Sequence, residues 1–157
     1  MKNKNILLAV CGSISFYKAY EILSLLKKNG ANVKVLLSDG VLKFATPVGF
    51  EALSDGVLTS FNESWANGLD HISFSKNDLL IIAPASANSI NKIANGIADN
   101  IFLQTILAAS CPKIIAPAAN HNMLDNPATI RNLKILNNDG FIIIEPITKT
   151  LACGDYG

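Results

Sequence analysis

Five consecutive apolar residues, Leu79-Leu80-Ile81-Ile82-Ala83, lead directly into Pro84-Ala85-Ser86-Ala87-Asn88-Ser89 and then Ile90-Asn91-Lys92-Ile93-Ala94. A run of this length without alternation suits a strand covered on both faces, the condition of a strand inside a parallel sheet. Pro84 has no N–H to give to a ladder, so the strand is expected to stop there. Ser86, Asn88 and Ser89 are short polar residues that favour loop and cap positions, and any of them can cap the helix that follows. The stretch therefore predicts strand, tight polar loop, helix. Such a loop, at the carboxyl end of a parallel strand, is where open α/β sheets bind ligands, and the N–H groups of the helix start favour an anion. Taken alone, the stretch reads more readily as an ordinary capped helix than as a ligand site.

The rest of the chain repeats the pattern. Ile6 to Val10 reads as a buried strand, and Cys11-Gly12-Ser13-Ile14-Ser15 turns into a helix with apolar residues at Phe16, Ala19, Tyr20, Leu23 and Leu26. Asn29-Gly30 stops that helix, and Val33 to Leu37 supplies the next strand, closed by Ser38-Asp39-Gly40. The first loop lacks G-x-G-x-x-G, which removes most of the weight from a nicotinamide dinucleotide site, although Gly12, Ser13 and Ser38 suit a phosphate. Residues 41–53 predict short helix broken at Pro47, and 54–70 give no assignment. His71 lies near an expected strand start, where a lone histidine reads as a hydrogen-bonded structural residue. Helix in two parts is predicted from Ile90 to Ala109, a strand over Lys113–Ala116, and a second proline loop at Pro117-Ala118-Ala119-Asn120-His121-Asn122-Met123. A helix over 126–138, capped by Asn126 with Pro127 at its first position, and a strand from Phe141 to Ile144 complete the series.

This order predicts an α/β fold with an open parallel sheet of five or six strands and helices on both faces. Four loops, 11–15, 38–40, 84–89 and 117–123, then meet at one sheet edge. They offer hydroxyls, amides and backbone N–H groups with hardly any charge. A ligand with an anionic tail and a planar, largely neutral body fits them: flavin mononucleotide, or nearly as well another nucleotide.

Composition narrows the alternatives. At 157 residues the chain fits one domain, 1–157. Half its residues are apolar, its mean hydropathy is +0.33 and only 16% are charged, an oily balance that predicts burial between subunits. A net charge of +1 without Lys or Arg runs excludes a nucleic-acid or polybasic membrane surface. Cys11, Cys111 and Cys153 are odd in number and lack zinc or C-x-x-C spacing, so no metal site is expected and a reducing compartment, the cytoplasm, is. The apolar run before Cys11 is too short for a signal segment or a membrane span and reads as the first strand.

Five ordered motifs give the chain a resemblance from Ile6 onward. They are Gly12-Ser13-Ile14-Ser15 with Tyr17-Lys18; Asp70-His71-Ile72; Pro84 to Ser89 with Ala98-Asp99-Asn100; Pro117 to Met123; and Leu151-Ala152-Cys153-Gly154-Asp155. The chain resembles the homo-oligomeric flavin-containing cysteine decarboxylases, and within them the branch acting on phosphopantothenoylcysteine in coenzyme A synthesis. Two positions depart from the family pattern: Ala119 stands where methionine is usual and Leu124 where an aromatic is, which bears on the substrate clamp more than on the chemistry.

The resemblance implies a Rossmann-like flavoprotein that holds FMN through Gly12, Ser13, Ser15, Ser38, Ser86 and Asn88. FMN would oxidise the substrate's cysteine side chain to a thioaldehyde, after which the neighbouring carboxylate leaves and an ene-thiolate remains. His71 is then the acid/base, Asn120 holds the carboxylate or thiolate, Met123 and Ala119 belong to the clamp, and Cys153 donates a proton as 4′-phosphopantetheine forms. Cys11 and Cys111 read as structural. The implied assembly is a homotrimer or a dodecamer of trimers, with a fused or separate phosphopantothenate–cysteine ligase following. A peptidyl-cysteine decarboxylase of lantibiotic maturation, or a flavin-binding regulatory subunit without turnover, are the alternatives; Cys153 argues against the first, and His71, Asn120 and Cys153 together against the second.

Overall fold

The structure, a computed structural model, describes residues 1–65 and 70–146. Strand β1 (Asn5–Val10) passes through a 3-10 turn at Ile14–Tyr17 into α1 (Lys18–Lys28), and β2 (Asn32–Leu37) follows. A second 3-10 turn at Val41–Lys43, α2 (Val48–Glu51) and β3 (Val57–Leu58) lead to α3 (Asp70–Ser75). Then come β4 (Leu79–Ala85), α4 (Ala87–Ala94), α5 (Ile101–Ala108), β5 (Lys113–Pro117), α6 (His121–Leu124), α7 (Pro127–Asn138) and β6 (Phe141–Ile143). The six strands pair in parallel in the order β3-β2-β1-β4-β5-β6.

The unalternating strands have a direct explanation. In β1, Leu7 and Ala9 pack on one face, with Phe102 and Ile106 of α5 and Ile90 of α4, while Ile6, Leu8 and Val10 pack on the other, with Ala19 and Leu23 of α1. Both faces are covered, so both sets of side chains must be apolar. The sheet has the expected six-strand upper bound because β3, two residues in the unassigned stretch, adds an edge: Val35 pairs with Val57 and Leu36 with Leu58.

Two local expectations are corrected. Pro84 does not end its strand: β4 runs on to Ala85, which pairs with Pro117 after a register shift past Ile82. Proline withholds only its N–H; its carbonyl still accepts from the Cys11 N–H at 3.1 Å, so the ladder bulges and continues. His71 lies in α3 rather than at a strand start. There the Ser73 and Ser75 hydroxyls donate to the Asp70 and Ile72 carbonyls, and Phe74 lies under the Lys34 ammonium, 4.7 Å from Nζ to the ring centroid. Elsewhere the boundaries follow the chain's signals, with Asn126 Oδ1 accepting from the Ala128 N–H at 2.9 Å to cap α7.

The strand order places a topological switch between β1 and β4. From β1 the chain moves to β2 on one side; from β4 it moves to β5 on the other. The chain therefore leaves β1 and β4 in opposite directions, and it is in the crevice at the carboxyl ends of such a strand pair that open α/β sheets take ligands.

Candidate functional site

On one side of the switch, the loops after β1 and β2 interlock. The Gly12 N–H donates to Ser38 Oγ at 3.2 Å, and Gly12 lies so close to Gly40 that a β-carbon on it would stand 2.5 Å from the Gly40 carbonyl carbon. Only glycine permits that approach. Ser13 Oγ accepts from the Ser15 N–H at 3.4 Å, its own carbonyl accepts from the Phe16 N–H at 2.9 Å, and Ser13 Oγ and Ser15 Oγ are 3.0 Å apart. Three half-buried hydroxyls, Ser13, Ser15 and Ser38, thus stand beside the N–H groups that open a 3-10 turn. Such a set of dipoles suits an anion without a fixed countercharge.

On the other side, the choice among Ser86, Asn88 and Ser89 is resolved: Ser86 is the cap of α4, its Oγ accepting from the Ser89 N–H at 3.3 Å and donating to Ser89 Oγ at 3.1 Å. Ser86 is half-buried, Ser89 buried and Asn88 exposed. Behind them lies Cys11, fully buried, whose thiol is pushed up by burial against the opposing hydrogen bonds from Ser89 and Ser86. The second proline loop is tied to the first by Ala118 N–H to Ala85 O at 2.9 Å. Asn120 caps α6 through Oδ1, which accepts from the Asn122 N–H at 2.9 Å; Ala119 is half-buried beside it and Met123 is exposed.

Gly12, Ser13, Ser15, Ser38, Ser86, Asn88, Ala119, Asn120 and Met123 all belong to loops or helix starts at this one edge. His71 stands apart on α3, the helix leading into β4, and its ring lies against Trp65 with centroids 5.7 Å apart. Cys153, with the rest of its motif, falls outside the described residues. The sequence placed 38–40 at this edge but gave Gly40 itself no role; its signal was a second glycine after a second parallel strand. Cys11, read as structural, is 0% exposed and part of the core. Among the described residues, no helix is long and apolar enough to cross a membrane.

The flavoprotein family model matches residues 1–157. The chain is 44% identical over 160 residues to the coenzyme A biosynthesis bifunctional protein CoaBC of Bacillus subtilis (strain 168), covering all of this chain and 39% of that one. It is 40% identical over 159 residues to the probable phosphopantothenoylcysteine decarboxylase of Streptococcus mutans, covering 98% of this chain and 89% of that one. The crystal structure of TvaF, an FMN-dependent cysteine decarboxylase from thioviridamide biosynthesis, superposes with a TM-score of 0.85 at 34% identity, over 91% of this chain and 90% of that one. This chain therefore spans about two fifths of the bifunctional relative and nearly the whole of the Streptococcus relative. With its full length matched and its switch-point loops built from the residues described above, the chain belongs to the flavoprotein family, among the cysteine decarboxylases.

Proposed function

We propose that this chain binds FMN at the carboxyl edge of its sheet and decarboxylates 4′-phosphopantothenoylcysteine to 4′-phosphopantetheine in coenzyme A synthesis. The observation that carries the reading is the switch-point crevice of uncharged donors, on a chain that aligns along its length with a phosphopantothenoylcysteine decarboxylase. The residues fit the cofactor: 11–15, 38–40, 84–89 and 117–123 contain no ionisable side chain besides Cys11, His121 and Asp39, an exposed residue whose carboxylate accepts from Ser60 Oγ at 2.6 Å, so a phosphate meets hydroxyls and N–H groups and a flat ring meets small residues. In this reading Gly12, Ser13, Ser15 and Ser38 hold the phosphate, and Ser86 and Asn88 border the ring. When bound, FMN supplies the two-electron oxidation of the cysteine side chain and the later return of those electrons.

The chain's own residues then orient the substrate and move protons. The Asn120 cap turns its side-chain oxygen toward α6, so the amide meets a carboxylate through N–H, holding it without a positive charge that would oppose loss of CO₂. Ala119 and Met123 flank that amide as the clamp. His71 exchanges the proton, since an imidazole ring can both accept and donate one. Cys153 protonates the ene-thiolate as the electrons return, since a thiol is a far stronger acid than a hydroxyl.

The protein acts in the cytoplasm as a homotrimer, or a dodecamer of trimers, with a ligase domain fused beyond residue 157 or supplied separately. Support for assembly comes from the chain just past β1, β2 and β3, where Ile14, Tyr17, Phe44, Val48, Phe61 and Trp65 are all exposed. Trp65 lies against His71, so a subunit covering Trp65 brings His71 to a shared site. The absorption spectrum of the purified protein, followed by identification of the flavin released on denaturation, tests the reading. One FMN per chain is expected; FAD, or no flavin, overturns it.

A further inference from the structure

Ser86 owes its orientation to two groups that touch nothing outside the fold. Its Oγ accepts from the Ser89 N–H at 3.3 Å, while its proton is directed to Ser89 Oγ at 3.1 Å. Ser89 is 6% exposed, and beneath the cap lies the thiol of Cys11, 0% exposed, whose polar neighbours are Ser89 and Ser86. A hydroxyl has one proton and two lone pairs. Ser86 commits its proton and one lone pair inward, so the side it shows to the crevice is an acceptor held in a single rotamer. Neither Ser89 nor Cys11 reaches the crevice: each is sealed beneath the cap, at the point where β1 and β4 separate.

We infer that Ser89, backed by Cys11, is a positioning residue for the flavin, acting through Ser86 by fixing its hydroxyl as an acceptor toward an N–H or O–H of the cofactor. The inference rests on the proposal that FMN occupies this crevice. Remove the Ser89 hydroxyl and the Ser86 proton loses its inward partner. The Ser86 side chain is then free to rotate, and the hydrogen bond it makes to the cofactor weakens. If Ser89 mattered only to packing, its loss would act on the whole domain regardless of what stands at residue 86.

A double-mutant cycle on the flavin affinity of the refolded apoprotein separates the two. FMN fluorescence quenching gives Kd for the parent, Ser86→Ala, Ser89→Ala and the double variant, and circular dichroism melts accompany each. Ser89→Ala in the parent is expected to weaken FMN about five- to tenfold, the scale of one hydrogen bond, and in the S86A background by less than about twofold. Ser89→Thr, which keeps the hydroxyl, restores parental affinity, and Cys11→Ala weakens it in the same direction but less. Equal weakening by Ser89→Ala in both backgrounds, or none in the parent, overturns the inference while leaving flavin binding intact. Failure of the parent to bind FMN overturns the underlying reading instead.

Discussion

Gly12 and Gly40 sit in backbone contact across the loops that leave β1 and β2: a β-carbon on Gly12 would meet the Gly40 carbonyl carbon at 2.5 Å, Cα at 2.7 Å and carbonyl oxygen at 2.8 Å. All three are main-chain atoms, so no flexible side chain can yield. Gly12→Ala is expected to push the loops apart, costing about 2 kcal/mol by overpacking and lowering Tm by roughly 4–8 °C. FMN affinity should fall more than tenfold, because the same shift carries Ser13 away from Ser38. Thermal melts and flavin titration check both; a variant with parental Tm and Kd means that the two loops are not held in register.

Asp55 contributes to the acid limb of stability. Burial alone would raise its pKa, but the Lys27 ammonium, with Nζ 2.7 Å from both carboxylate oxygens, and the Val33 N–H at 2.6 Å outweigh it and hold Asp55 below the ordinary carboxylate value. A group depressed in the folded state stabilises above its unfolded pKa, near 3.9, and that contribution is lost as pH falls through the folded value. The pair is about two-fifths exposed, so solvent screening limits the contribution to about 0.5–1 kcal/mol. Urea melts should show Asp55→Asn less stable than the parent at pH 7 and the difference shrinking as pH falls below the ordinary carboxylate value and through the depressed folded one. A difference that persists at low pH contradicts the assignment.

Much of this fold was legible in the sequence because burial on both faces leaves an unambiguous mark: Leu79–Ala83 and Ile6–Val10 are apolar throughout, and each is followed by a turn and a capped helix. The illegible parts have tertiary causes. Val57 and Leu58 form a strand only because β2 offers an open edge, and two residues carry no period. Asp70–Ser75 is helical because Phe74 and its neighbours pack against other elements, Lys34 among them, which local spacing does not reveal. Pro84 misled because the ladder tolerates a bulge when the proline carbonyl is still used by Cys11. At the site, the hydroxyl-rich loops and the cap candidates of the 84–89 loop were readable locally, whereas the Gly12–Gly40 approach and the burial of Cys11 beneath the Ser86–Ser89 cap exist only once β1, β2 and β4 lie side by side.

Assembly is tested by complementation. If His71 serves a site on another subunit, then His71→Asn and Asn120→Asp, each inactive alone, regain partial activity when unfolded together and refolded as a mixture. Product formation in the mixed sample, against the two variants refolded separately, is the measurement. No recovery in a mixture shown to contain hetero-oligomers places both residues in one chain's site, and sedimentation as a monomer at micromolar concentration with flavin bound removes the shared site altogether.

Oxidation and reduction should separate at Cys153. A serine hydroxyl is a far weaker acid than a thiol, whose unperturbed pKa is about 8.5. Cys153→Ser is therefore expected to lose CO₂ once and then stall, with reduced flavin and a product two hydrogens lighter than phosphopantetheine. His71→Asn should leave the flavin oxidised and the substrate intact. Mass spectrometry and the flavin absorbance distinguish them; parental turnover to phosphopantetheine by Cys153→Ser shows that another group delivers the proton.

The decisive measurement is the mass of the product formed when the purified, flavin-loaded protein meets 4′-phosphopantothenoylcysteine, with a peptide ending in cysteine offered in parallel. The account predicts that the first substrate loses one carbon dioxide and emerges as 4′-phosphopantetheine over many turnovers, while the peptide is recovered unchanged. Unaltered phosphopantothenoylcysteine, or preferential decarboxylation of the peptide, would contradict it.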